Sequence, residues 1–172
     1  MQTYIDFVEK LASEGQDEIF FNSGPTHASI VMSRIFKYAK DSVRIFCGGF
    51  NGAVSNDDEY LKYLDDFLQK GGKLKVLVEE DLSKGQGKIF RVLRNHKANV
   101  EVYQTSSRVT MNNGTGQPQR IHFTVGDDKM LRIETGVEDY RAQVNFGNTG
   151  EARVFIDLFE KLLPKGKAIS LA

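Results

Sequence analysis

At 172 residues the chain has the length of a single domain and is long enough to bury a sizeable core. Its 23 lysines and arginines balance 23 aspartates and glutamates, so no global field draws it to nucleic acid or to an anionic membrane, although a local basic pocket is compatible with that balance. The single cysteine, Cys47, excludes a disulfide framework, and no apolar run approaches the roughly 20 residues needed to span a bilayer.

In chain order, residues 3–13 place Ile5, Phe7, Val8 and Leu11 at helical spacing. This stretch carries acids and has no long apolar core, so it does not read as a signal peptide, and the expectation is a soluble, cytoplasmic protein. Residues 18–21 predict a short strand. Ser23-Gly24-Pro25-Thr26 then leads into a helix, with Ser23 or Thr26 expected as its cap and Ala28, Val31, Met32, Ile35, Phe36 and Ala39 as its apolar face. Residues 42–47 predict a strand that ends in a glycine-rich loop, and residues 57–69 predict a helix stopped by Gly71 and Gly72. A Leu- and Val-rich strand over residues 73–79 follows, then a helix over 87–95 and a short strand over 99–104.

Residues 105–119, rich in Thr, Ser, Asn and Gly, predict a long flexible loop of the functional or mobile kind. After a strand at 141–146, residues 149–163 repeat Ala152, Phe155, Ile156, Phe159 and Leu162 at helical spacing behind a cap at Asn148 or Thr149. Helix–strand alternation followed by hairpin, strand and helix predicts an α/β fold: a mixed β-sheet flanked by helices on both faces. No internal repeat or composition break divides the chain. One domain over 1–172 is therefore expected, with 1–21 as an N-terminal extension and 22–163 as the core.

The segment most informative about function is residues 120–134. Polar and apolar residues alternate, break at Gly126-Asp127-Asp128, and alternate again, as in a hairpin with two unlike faces. Ile121, Phe123, Val125, Leu131 and Ile133 form a core face. Arg120, His122, Thr124, Arg132 and Glu134 form the other. A three-residue turn over 126–128, with Asp127 and Asp128 as turn residues, would set His122 opposite Arg132 and Arg120 opposite Glu134. A neutral imidazole there suits nucleophilic or acid–base work, paired guanidiniums suit a phosphate, and adjacent cations would favour the neutral ring. The competing reading of this face is a solvated hairpin surface with a cross-strand Arg–Glu pair. His27 and His96 read as structural. No cysteine pair and no His-x-x-x-His is present, so neither metal nor cofactor is expected. Gly48, Gly49 and Asn51 follow a strand end, where ligands bind in open α/β sheets, and are candidates for lining a pocket.

The order of helix, strand with a small-residue loop, long helix, Gly-Gly-Lys-Leu-Lys-Val-Leu-Val, short strand and His-containing hairpin ending in Asp-Asp-Lys resembles the phospholipase D superfamily. Ala142-Gln143-Val144-Asn145-Phe146 and the helix carrying Phe155 and Phe159 look like its last strand and helix. The resemblance covers roughly residues 22–163 and lies in pattern more than in identity. Members carry His-x-Lys-x-x-x-x-Asp, then Gly-Ser-x-Asn, and cleave phosphodiesters without metal through a histidine that becomes phosphorylated, with a second histidine as acid. Laid on the turn, Asp127 matches the family aspartate, His122 takes the lysine slot and Arg120 the histidine slot. Laid on His122, Thr124 replaces the lysine and Lys129 the aspartate. The first alignment needs no gap at the turn. Glu134-Thr135-Gly136-Val137 stands where Gly-Ser-x-Asn is expected.

The resemblance thus implies a phosphodiesterase fold with a degenerate site. Arg120, Arg132, Thr124, Gly49 and Asn51 are its expected phosphate or ligand contacts, and His122 and Glu134 its expected catalytic groups. With one motif copy, a two-histidine site implies a homodimer. Two readings stay open: a nucleic-acid or phosphodiester ligand with weak, altered or lost hydrolysis, and a non-catalytic interaction or regulatory module with a protein partner. A lipid hydrolase fits less well, because nothing points to membrane contact.

Overall fold

The computed structural model describes residues 1–50 and 52–171. Its elements are α1 (Gln2–Glu14), β1 (Phe20–Asn22), α2 (Pro25–Tyr38), β2 (Ser42–Cys47), α3 (Asp58–Gln69), β3 (Lys73–Val78), α4 (Lys88–Asn95), β4 (Val100–Gln104), β5 (Thr110–Asn112), β6 (Pro118–Arg120), β7 (His122–Gly126), β8 (Met130–Gly136), β9 (Arg141–Asn145), α5 (Thr149–Leu162) and β10 (Lys167–Ala168). Among the described residues, one large sheet runs in the order β1-β9-β8-β7-β2-β3-β4-β10. The pairs β2–β3 and β3–β4 are parallel, joined through α3 and α4, and the other pairs are antiparallel. This is the mixed α/β sheet that the element order predicts.

Two apolar layers hold the sheet. On one face, Val8 and Leu11 of α1, Val31, Ile35 and Phe36 of α2, Leu64 and Leu68 of α3 and Ile89 and Leu93 of α4 pack on Val43, Ile45, Leu74, Val76 and Val102. On the other, Ala152, Phe155, Ile156 and Phe159 of α5 cover Phe46, Phe123, Val125, Leu131 and Ile133. Each large side chain so buried contributes about 1.5–3 kcal/mol.

Three local expectations are corrected. The α2 cap is Gly24 with Pro25 in the first turn, and neither Ser23 nor Thr26 caps it by a side chain; proline's preset φ starts this helix. Residues 105–119 are not wholly irregular, since β5 and β6 pair as a second, two-stranded sheet with Thr110 opposite Arg120. The central hairpin closes two positions away from the expected register: Gly126 pairs with Met130, leaving residues 127–129 as the loop. Asp127 explains the shift. It sits at φ 49°, a left-handed conformation that Asp tolerates, and its carboxylate accepts hydrogen bonds from the backbone N–H groups of Lys40 (2.9 Å), Asp41 (2.8 Å) and Ser42 (3.1 Å). The aspartate therefore ties the hairpin tip to the start of β2, while Asp128 is exposed beside it.

Candidate functional site

The parallel strands β2 and β3 end side by side, and β7 begins beside β2. Two backbone hydrogen bonds, Glu79 N–H to the Cys47 carbonyl (3.1 Å) and Glu80 N–H to the Gly48 carbonyl (3.0 Å), carry the β2–β3 pairing past the strand ends. They fix Glu79 next to the first residue of β7, His122. The two-residue shift keeps the polar face together but changes its partners: His122 lies opposite Glu134 and Thr124 opposite Arg132. Arg120 is not on this strand pair; it ends β6. The face is also not solvated. His122, Thr124, Arg132 and Glu134 are all buried.

The charges of this face pair with one another, the buried ones and two exposed arginines together. Glu79 Oε1 lies 2.6 Å from His122 Nε2 and accepts a 2.6 Å hydrogen bond from Arg120 Nη2, while Glu79 Oε2 accepts from Arg108 Nη1. On the other side of the ring, His122 Nδ1 is 3.5 Å from Glu134 Oε1. Glu134 Oε2 accepts from Arg132 Nη1 at 2.8 Å. Arg132 also donates through Nε to Asn22 Oδ1 (3.2 Å) and through Nη2 to the Tyr140 carbonyl (3.1 Å). The acids, and not the arginines, therefore face the imidazole nitrogens, contrary to the cation-flanked ring expected. Burial works against the charged form of both carboxylates. For Glu79 the hydrogen bonds from Arg120 and His122 outweigh it, and for Glu134 those from His122 and Arg132, so both titrate below the usual carboxylate range.

Beside this chain of charges lies a cavity of about 300 Å³. Phe46, Phe50 and Tyr60 line its apolar side, and Thr124, Arg132 and Glu134 its polar side. Gly48 permits the close approach at its rim: a Cβ there would stand 3.3 Å from His122 Cε1. Gly49 also lines the cavity, and its missing side chain leaves room for Glu80. Asn51, the remaining sequence candidate, lies outside the described residues. Cys47 borders the cavity as well; burial pushes its thiol pKa up, and the carboxylates of Glu134, Glu79 and Glu80 add to the effect.

Sequence reasoning missed Glu79, Arg108, Asn22 and Tyr140. Glu79 carried a usable signal, because it directly follows a buried parallel strand, the position where open α/β sheets gather functional groups. The other histidines are engaged elsewhere: His27 stacks on Tyr4 at 3.8 Å between ring centroids, and His96 Nε2 lies 2.7 Å from Asp65. Among the described residues no group of three or more His, Cys, Asp or Glu side chains is placed to hold a metal ion, and no helix is long and apolar enough to cross a membrane.

No protein-family model matches the sequence, and no curated protein matches it. Solved structures do. Nuc, a phospholipase D family member from Salmonella typhimurium, superposes with a TM-score of 0.58 at 17% identity over 89% of this chain and 100% of its own. NucT from Helicobacter pylori gives 0.61 at 13% identity over 88% of this chain and 99% of its own. TrmBL2, an archaeal chromatin protein described as having a novel mode of DNA binding, gives 0.61 at 14% identity over 98% of this chain and 62% of its own. At such identities the likeness is one of fold, and the fold is phospholipase D-like.

Proposed function

We propose that this chain is a phosphodiester-binding module of phospholipase D-like fold, directed at nucleic acid, in which hydrolysis is lost or feeble. One observation carries the reading: Nε2 of His122 is 2.6 Å from a carboxylate oxygen of Glu79, while Nδ1 faces Glu134. A histidine that attacks phosphorus needs a ring nitrogen whose lone pair is aimed at the substrate. Here the Glu79 carboxylate would have to leave first. The two guanidiniums on Glu79 form a mouth that remains usable, since the side chains of Arg108 and Arg120 are 61% and 43% exposed and present edges suited to phosphate oxygens. The DNA binding stated for TrmBL2, whose fold matches nearly the whole of this chain, supports the nucleic-acid ligand.

The test pairs two measurements. Fluorescence anisotropy with single-stranded DNA, duplex DNA and RNA at low salt should report binding. A metal-free assay on a bis-aryl phosphodiester should show turnover no faster than the His122→Ala variant. Turnover that His122→Ala abolishes would make the chain an enzyme. That outcome requires a second copy to supply the acid histidine, and a dimer by sedimentation would accompany it. Absence of binding to any of the polymers would overturn the nucleic-acid reading.

A second reading, a protein-interaction or regulatory module, draws on exposed Phe7, Ile19 and Phe21 around edge strand β1, where Phe7 packs edge-on against Phe20. Oligonucleotide binding that depends on Arg108 and Arg120 would count against it.

A further inference from the structure

Glu79 and Arg108 also wall a second cavity, of about 420 Å³, completed by Thr105, Ser106, Lys165 and Lys167. The chain as a whole is neutral, so a concentration of cations here does not follow from composition. Arg108, Lys165 and Lys167 face a single acid within the cavity, and that acid is already shared with Arg120 and His122. Just outside, Asp81 feels the charges of Lys167 and Lys84. Counting these neighbours, four cations (Arg108, Lys165, Lys167, Lys84) stand against two acids (Glu79, Asp81).

The lysines are not on a loose tail. Lys167 is in β10, paired with Gln104 of β4, and the Ile169 N–H donates to the Val102 carbonyl at 2.8 Å. Gly166 between the lysines closes a turn on Leu163 (3.0 Å), and its Cα lies so close to β4 that a Cβ would stand 3.0 Å from Tyr103 Cβ. A backbone pinned in this way presents Lys165 and Lys167 at fixed positions, which lowers the ordering cost of binding.

We infer that this groove holds the sugar–phosphate backbone of a nucleic-acid strand as it leaves the Arg108–Arg120 mouth, with Lys165 and Lys167 each contacting a phosphate. The inference rests on the nucleic-acid reading above and adds the path of the strand. Glu79 connects the two places, since it lines the groove and touches His122.

The test measures the affinity of a fluorescent single-stranded DNA oligonucleotide across a salt series. Three proteins are compared: wild type, Lys165→Gln/Lys167→Gln, and Lys40→Gln/Lys70→Gln. The last pair makes the same charge change at exposed residues beside the starts of β2 and β3, the opposite end of the sheet. Losing two phosphate contacts lowers the slope of log K against log salt by roughly 1.4 on single strands, and weakens binding on the order of tenfold or more at about 0.1 M salt. The control pair should leave the slope at the wild-type value. If both double variants lower the slope equally, or neither does, the groove assignment is overturned while the nucleic-acid reading stands. If wild type does not bind at all, the parent reading fails. If Lys165→Gln/Lys167→Gln loses binding only to vesicles containing anionic lipid and keeps its DNA slope, the groove belongs to a membrane surface and the inference is wrong. Unchanged far-UV circular dichroism checks that these exposed substitutions leave the fold intact.

Discussion

Replacing Glu79 by Gln tests both the stability and the binding logic of the mouth. Its carboxylate takes three donors, from Arg108, Arg120 and His122. Hydrogen bonds to charged groups are worth about 1.5–3 kcal/mol each, but the arginine partners are 61% and 43% exposed. In water their bonds are worth about 1 kcal/mol or less each. The His122 contact joins side chains that are 8% and 9% exposed and keeps its full value. A glutamine retains one acceptor oxygen and turns an NH2 toward a guanidinium or the ring, so the expected loss is about 2–4 kcal/mol, or roughly 5–15 °C in Tm. At the same time two guanidiniums lose their internal anion. Binding to single-stranded DNA should tighten, and its salt slope should steepen by up to about 1.4. Thermal melts followed by circular dichroism read the first effect and anisotropy in a salt series the second. A folded variant that melts with wild type, or that binds DNA less tightly, would refute the view of Glu79 as an anion occupying a phosphate cradle.

Other outcomes concern groups elsewhere in the fold. Asp127→Ala removes the acceptor for three backbone N–H groups and leaves alanine at φ 49°, so urea midpoints should register a loss of about 2–3 kcal/mol, with Asp127→Asn costing about 1 kcal/mol. Glu9, despite partial burial, is lowered from 4.5 to about 2 by hydrogen bonds from Lys37, Tyr38 and Arg34. A depressed folded-state pKa gives stability that is present above 4.5 and lost as pH falls toward 2. The wild-type urea midpoint should therefore fall across that window, and Glu9→Gln should fall less steeply. The raised thiol of Cys47 should react with a disulfide reagent far more slowly in the native protein than in urea; equal rates would place it in solvent.

Periodicity made most of the fold legible. The strand over residues 42–47 and the helix over 57–69 appear within a residue of their expected ends, because one core face at a regular spacing defines them. The site was half legible. Alternation placed His122, Thr124, Arg132 and Glu134 on one face, and any even shift of register preserves that grouping. Which residue stands opposite which depended on Asp127 binding backbone groups more than 80 positions earlier, a contact that no local pattern encodes. Glu79 was hidden for a similar reason: 43 positions separate it from His122, and only the pairing of β2 with β3 and β7 brings them together. Arg120 shared the alternating pattern but belongs to another strand pair, because a break at Ile121 separates β6 from β7.

The arginines on Glu79 also stand at the two feet of a ribbon. Arg108 precedes β5 and Arg120 closes β6, so one carboxylate fastens both legs of the β5–β6 hairpin to the end of β3. Any external anion that draws those guanidiniums away releases one tie on each leg, while buried Val109 and Ile121 keep the base of the ribbon in the core. Occupancy at the mouth is thereby coupled to the freedom of residues 110–120, and faster amide exchange at the ribbon's far turn, residues 113–117, would announce a ligand held only at its base by Arg108 and Arg120.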